Sequence, residues 1–523
     1  MYYRSHCILE RLFFDDRSYQ VLYSVSYLAL TPLQLDEIFA DVLSNVNISL
    51  DEPDSEGNVE TLELLIDFGC DIDFPDGKDY LPIHYTCEYD TTELTKVVVE
   101  KGAKLDAPDR HKRYPIHYMC EKGNTEMVKL MVEKGAKVDI PDTNGKYPIH
   151  YMCQSGDVDV VEFLVTKGAK LEAVNGQLPI HYACENYFRD FKIVQFLVEK
   201  GQSVNTPDTK GKLPIHYMCE QGATNIVKFL INIDKPVINV KDGNDEIGLR
   251  PLHYACLRAD VNLVKLLLRL GAQGNLPDLH GNLPLHYACL NDKSGLPIIS
   301  LLLEKDLDVN VRNAIGHLPI HFACEPSCRT ASNFGYHSLG FPLWKGIDES
   351  VVKFLVQRGA RLDIADANGR FPMHSVCRQN KPELVKLLAE KGADLNVSDQ
   401  CGRLPIHYAC EWDVHSDEIV KFLIENGASV NVADVKGVLP IHAACEGGSL
   451  STVKLLVAYG ADISDRRVRE YADKNYFHRQ EILKFLEING NDSPKASSDP
   501  KDRKDYRNPK DQKDPEKKGF REF

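Results

Sequence analysis

Tyr114-Pro115-Ile116-His117-Tyr118-Met119-Cys120 is one of eleven close variants of a single string, whose prolines are Pro82, Pro115, Pro148, Pro179, Pro214, Pro251, Pro284, Pro319, Pro372, Pro405 and Pro440. Most successive prolines lie 31 to 37 residues apart. That length holds one supersecondary unit and, sustained along a chain, signals a stacked solenoid. In such a stack each unit contacts only its neighbours, so the 523 residues count units rather than globular domains.

Working outward, Pro115 suits the first position of a helix, where its missing N–H would lack a partner anyway. A first short helix is predicted from there toward Gly123, and a second from Thr125 to Lys134. In the second, Met127, Val128, Met131 and Val132 form an apolar stripe while Glu126, Lys129 and Glu133 face outward. Gly135 tolerates the left-handed geometry that ends a helix. Segments such as Asp142-Thr143-Asn144-Gly145 favour a tight reversal. Each unit therefore reads as helix, turn, helix, reversing loop.

At these residues the chain resembles the ankyrin repeat family, in its Asp-x-x-Gly turn, its Pro-Ile-His string and its Gly-Ala pair, matched at Ala103, Ala136, Ala169, Ala272, Ala360, Ala393, Ala428 and Ala461. The resemblance spans residues 55 to 490. It implies an all-α fold, an ankyrin-type α-solenoid of stacked helix-turn-helix units with projecting hairpin loops and a concave face. It also implies that the repeated histidines, from His84 to His442, hydrogen-bond to neighbouring hairpins. One departure is systematic. Where the family has threonine before the proline, this chain has Leu81, Tyr114, Tyr147, Leu178, Leu213, Arg250, Leu283, Leu318, Phe371, Leu404 and Leu439. Losing a hydroxyl cap costs about 0.5–2 kcal/mol, so either apolar burial compensates or the first helices are less firmly capped.

Composition narrows the function classes. The hydrophobic fraction of 43% supplies a continuous core, and no run of apolar residues is long enough for a membrane-spanning helix. Arg4, Arg11, Asp15, Asp16 and Arg17 interrupt the apolar stretches at the amino end, which argues against a secretory signal and for an intracellular, cytoplasmic location. Eleven of the 15 cysteines sit three residues after the repeated histidine, a register that reads as helix packing. An odd number of cysteines fits a reducing compartment better than a disulfide framework. The net charge of −15 argues against nucleic acid, whose phosphates require positive charge, and is compatible with a basic protein partner. His-x-x-Cys gives two ligands where structural zinc takes four. Asp67-Phe68-Gly69 lacks the other kinase motifs, and no phosphate loop or nucleophile elbow occurs in the sequence. No cofactor, metal or enzymatic activity is expected.

The expected organisation is an N-terminal segment over residues 1–50, partly a capping helix, then the repeat solenoid over 51–491 and a disordered mixed-charge tail over 492–523. Between Pro319 and Pro372 the spacing grows to 53 residues, leaving an insert near 326–347 that carries Phe334, Tyr336, Phe341 and Trp344. It is either a loop folded over the stack or a protruding contact element.

Candidate binding residues are those that vary around the repeated string. Glu88, Glu121, Glu185, Glu220, Glu325, Glu411 and Glu446 directly follow the repeated cysteine. On the family fold they line the groove in a broken row open to a basic ligand, unless they are simply soluble helix formers. The hairpins carry the opposite charge, at Arg110, Arg113, Lys146, Lys212, Arg370 and Arg403, either to pair with those glutamates or to meet an acidic part of a partner. Trp412 in the groove and Trp344 in the insert are candidate anchors. The expected function is a monomeric, non-catalytic protein–protein interaction scaffold that binds on the concave face. The alternative is an adaptor recruiting a client to an enzyme complex, such as a ubiquitin ligase or kinase, through residues 1–50, the insert or the tail.

Overall fold

The computed structural model describes residues 70–75, 80–185, 191–233, 237–243, 247–258, 260–290, 295–305, 307–324, 348–411 and 416–490, with helical positions also at Val59, Leu62, Glu63, Ile66 and Asp67. Residues 1–50, the insert at 326–347 and the tail at 492–523 lie outside the described residues, as do Glu325, Trp344 and Trp412.

The described chain is helical and forms two compact units, one reaching residue 393 without 380–382 and one holding the remainder. In the first unit the first helices of successive repeats are α1 (Pro82–Glu88), α3 (Pro115–Lys122), α5 (Pro148–Ser155), α7 (Pro179–Glu185), α9 (Pro214–Gln221), α11 (Pro251–Arg258), α13 (Pro284–Ala288), α15 (Pro319–Cys324) and α17 (Pro372–Arg378). The second helices are α2 (Thr92–Glu100), α4 (Thr125–Glu133), α6 (Val158–Thr166), α8 (Lys192–Glu199), α10 (Thr224–Ile233), α12 (Val261–Arg269), α14 (Gly295–Leu303), α16 (Glu349–Gln357) and α18 (Pro382–Glu390). First helices pack on first helices throughout, and second on second along most of the row. The second unit repeats the scheme with α19 (Pro405–Ala409), α20 (Ser416–Glu425), α21 (Pro440–Gly447) and α22 (Leu450–Ala458), and ends in α23 (Arg467–Ala472) and α24 (Arg479–Gly490).

The start of each first helix resolves the missing threonine. At Tyr114 the backbone is extended, and its carbonyl accepts the His117 N–H at 2.9 Å. In return the Tyr114 N–H donates to His117 Nδ1 at 3.0 Å. The same bond to Nδ1 forms in all eleven repeats, at 2.9–3.1 Å. Histidine at the third helical position thus takes the role that glutamate has in a capping box. The helix is capped without a hydroxyl, and the residue before proline is free to be apolar: Leu81, Leu213, Leu283, Leu318 and Leu404 are buried.

The cores match the periodicity, with Ile116, Met119, Cys120, Met127, Val128 and Met131 fully buried. Val132, placed on the apolar stripe by its spacing, is only half-buried because it lines an open cleft of ≈ 390 Å³ between Gly135 and Gly168. α4 stops at Glu133, with Lys134 as its cap and Gly135 at φ 101°. The recurring cysteines of the described residues are all free and buried.

Candidate functional site

The repeated histidine fixes each hairpin. Because Nδ1 accepts a backbone N–H it carries no proton, so Nε2 holds the hydrogen and donates. His84, His117, His150, His181, His216, His253, His286, His321 and His407 direct Nε2 at a carbonyl of the following hairpin, at 2.9–3.3 Å. Both ring nitrogens are thereby committed, which leaves no lone pair for a metal or for general-base chemistry. Burial pushes His117 down to about 4, against the attraction of Asp142. The family expectation that the repeated histidines bond to neighbouring hairpins holds for these nine; at His442, Nε2 makes no hydrogen bond among the described residues.

A second recurring device, not read from the sequence, anchors the hairpin base. Asp109 is buried; its Oδ1 accepts the N–H groups of His111 and Arg113, each at 2.7 Å, and its Oδ2 accepts the Tyr118 hydroxyl at 2.6 Å. Burial alone would raise the Asp109 pKa, but the Tyr118 hydroxyl and the two N–H groups outweigh it and hold the carboxyl below its ordinary value. The tyrosine bond recurs at Asp142–Tyr151, Asp208–Tyr217, Asp242–Tyr254, Asp278–Tyr287 and Asp399–Tyr408, at 2.5–2.6 Å. Asn313 is matched instead by Phe322, a ring with no hydroxyl to donate. Asp366 is followed by Ser375, and there Arg370 Nε and His317 Nε2 lie 3.4 and 3.8 Å from its Oδ2.

With its base fixed, the hairpin delivers the residue two before the proline to the face of the tyrosine ring. The Arg113 guanidinium lies 3.9 Å from the Tyr118 centroid, Lys212 Nζ 5.0 and 5.1 Å from those of Tyr217 and Tyr254, and the Arg403 guanidinium 4.3 Å from that of Tyr408. Each of these cations then meets the glutamate eight residues on. Arg113 pairs with Glu121, Lys212 with Glu220 at 2.9 Å, and Arg403 with Glu411. Burial disfavours the Arg113 charge, but the hydrogen-bonded Glu121 carboxylate prevails and raises its pKa.

The remaining candidates are placed differently. Glu88 and Glu185 are half-buried, and the hairpin residues in register with them are the uncharged Tyr80 and Gln177. Glu185 accepts a bond from the Tyr217 hydroxyl of the next repeat at 3.3 Å. Glu446 is exposed, opposite Val438, with Lys474 Nζ at 3.9 Å. Arg110 is exposed at a hairpin tip beside His111, and Arg370 lies in register with Arg378. Lys146 lies over tyrosine rings but faces Gln154.

In three repeats the position two after the repeated cysteine is structural. Ser155 Oγ donates to the Cys120 carbonyl at 2.6 Å, Gln221 Nε2 to that of Cys184 at 2.5 Å, and Arg258 Nε to that of Glu220. Each serves an orphan carbonyl at the end of the preceding first helix. Nothing in a single repeat announces this, because donor and acceptor belong to different units.

The family model "Ankyrin repeats (3 copies)" matches residues 54–142, 116–208, 204–278, 344–434, 399–467 and 415–492, and the single "Ankyrin repeat" model matches 280–314. Among solved structures, the crystal structure of the human ASB11 ankyrin repeat domain is similar, with 22% sequence identity and a TM-score of 0.38, covering 44% of this chain and 99% of that one. No curated protein matches the chain. With family models covering well over half its residues, the chain belongs to the ankyrin repeat family.

Proposed function

We propose that the chain is a non-catalytic scaffold that binds protein partners on the face built from its hairpins and first helices, the concave side in its family. Ankyrin repeats are protein-interaction modules. The observation that carries the reading is a contrast between two sets of positions. The proline, histidine and cysteine that recur are buried within the stack, whereas in the first five repeats the paired positions that differ between repeats stand half-buried or exposed; farther along, Leu249, Leu257, Asn282 and His317 in the same register are buried. Those first five are Tyr80/Glu88, Arg113/Glu121, Lys146/Gln154, Gln177/Glu185 and Lys212/Glu220. What recurs builds the stack, and what varies is presented to a partner.

Internal pairing narrows the acidic row. Glu121, Glu220 and Glu411 are held by their own hairpins, and Lys474 lies by Glu446, so a basic partner segment would meet Glu88 and Glu185. The free cysteines suit a reducing, cytoplasmic setting and a monomeric chain. Reversing Glu121 or Glu220 would also strip the cation beside it, so the clean test is Glu88→Lys with Glu185→Lys. Affinity capture with mass spectrometry should show partners lost from this double variant while its circular dichroism stays unchanged; undiminished capture removes these glutamates from the binding face. An adaptor role would rest on residues outside those described.

A further inference from the structure

Lys146 breaks the pairing rule. Arg113, Lys212 and Arg403 each meet the glutamate eight residues on, but the residue in that position for Lys146 is Gln154, which is exposed. Among the described residues no ion pair engages Lys146. Its ammonium is held between two rings, 5.2 Å from the Tyr151 centroid and 4.6 Å from that of Tyr182. Both rings are buried, and Tyr151 also carries Arg113 at 5.4 Å. Two cations thus sit against one ring, and only one of them is neutralised. Lys122, next to Glu121, and Arg110 and Lys112 at the neighbouring hairpin tip are exposed and add to the same positive region.

An ammonium already ordered by two aromatic faces loses little further freedom on meeting an anion. The Gln154 amide, in the register where the other repeats place the paired glutamate, can donate a second hydrogen bond. We propose that Lys146 and Gln154 receive a carboxylate from an acidic segment of the protein partner, which supplies the glutamate this repeat lacks. The proposal rests on the reading of this face as a protein-binding surface and assigns it a second polarity, so that the partner presents an acidic residue between the basic ones that face Glu88 and Glu185. A carboxylate fits better than nucleic acid, because the net charge of −15 repels a polyanion at long range while leaving a single local contact favourable.

The test measures fluorescence anisotropy of the full chain with a labelled peptide of alternating glutamate and leucine, beside a lysine–leucine peptide and a single-stranded oligodeoxynucleotide. Gln154→Glu installs the internal pair found at Arg113, Lys212 and Arg403. It should weaken glutamate-peptide binding about tenfold, a loss expected when a charge partner is taken away, without lowering the thermal midpoint. Lys146→Gln should weaken it similarly, whereas Lys212→Gln, whose lysine is already paired with Glu220, should stay within about twofold. Absence of saturable glutamate-peptide binding by the wild type, wild-type binding by Gln154→Glu, or displacement of the peptide by the oligonucleotide would each overturn the proposal. If the lysine–leucine peptide still binds and depends on Glu88 and Glu185, the protein-binding face stands without the Lys146 site; if neither peptide binds, both readings fall.

Discussion

At the scale of single residues, the chain's own repeats act as a mutational series. The buried Asp109 carboxylate takes a hydroxyl from Tyr118, and in the repeat where asparagine stands at the same position, Asn313, the tyrosine is phenylalanine, Phe322. Tyr118→Phe alone leaves a buried carboxylate oxygen without its donor and should cost about 1–3 kcal/mol in urea unfolding. Combining it with Asp109→Asn reproduces the natural pair and should recover part of that loss, with a coupling of about 0.5–3 kcal/mol; simple additivity would show that the two side chains act independently. This pairing was present in the sequence only as a correlation between positions mostly nine residues apart, stretched to twelve at Asp242–Tyr254 and broken at Ala173–Tyr182, Asp366–Ser375 and Asp434–Ala443. The histidine was legible because it never varies. Its capping bond was not, since that depends on which ring nitrogen faces the backbone.

At the scale of elements, the helices and turns follow from periodicity, proline and glycine, and the first helix of the specimen repeat ends at Lys122 with Gly123 at φ 73°, where the sequence places its end. Packing between repeats is less visible, because it matches residues from different units. Gly274 stands where other repeats carry Leu105, Val138, Val204 or Leu395, and Leu307 in the next repeat stands where others carry Ala103, Ala136 or Ala169. A Cβ built on Gly274 would lie 2.7 Å from Leu307 Cδ1 and 3.6 Å from Leu302 Cδ2, so the larger leucine fills the space the glycine vacates. Gly274→Val should therefore destabilise by about 1–3 kcal/mol through overpacking, and Leu307→Ala in the same chain should relieve it. A double variant no more stable than Gly274→Val would reject the exchange.

At the scale of the whole molecule, the buried imidazoles make stability depend on pH. His117, His150, His216, His286 and His321 are pushed down to about 4 by burial, His253 to about 3, and His181, His407 and His442 are lowered as well. An unfolded histidine titrates near about 6.5, so below that value the unfolded chain binds protons that the folded chain refuses. The stability linked to these groups is intact above pH ~6.5 and is lost progressively as the pH falls toward the folded values. Urea midpoints should drop between pH 7 and pH 5 with net proton uptake on unfolding, and equal midpoints at the two pH values would falsify the linkage. A net charge of −15 pointed toward a basic partner, but pairing across eight residues silences Glu121, Glu220 and Glu411 and leaves both signs on display, a distinction that needs the register of hairpin on helix.

The histidine bond also has a direction. Each of the nine rings bonded to a following hairpin accepts from its own helix start and donates to that hairpin, like hooks all facing one way. Two neighbouring repeats therefore contribute unequally to their joint, one the donor and the other only a carbonyl. Where the run of the motif stops, at His442, the group opposite Nε2 is the Asp465 carboxylate at 3.6 Å. A charged side chain thus stands there in place of the neutral backbone carbonyl that nine earlier histidines meet.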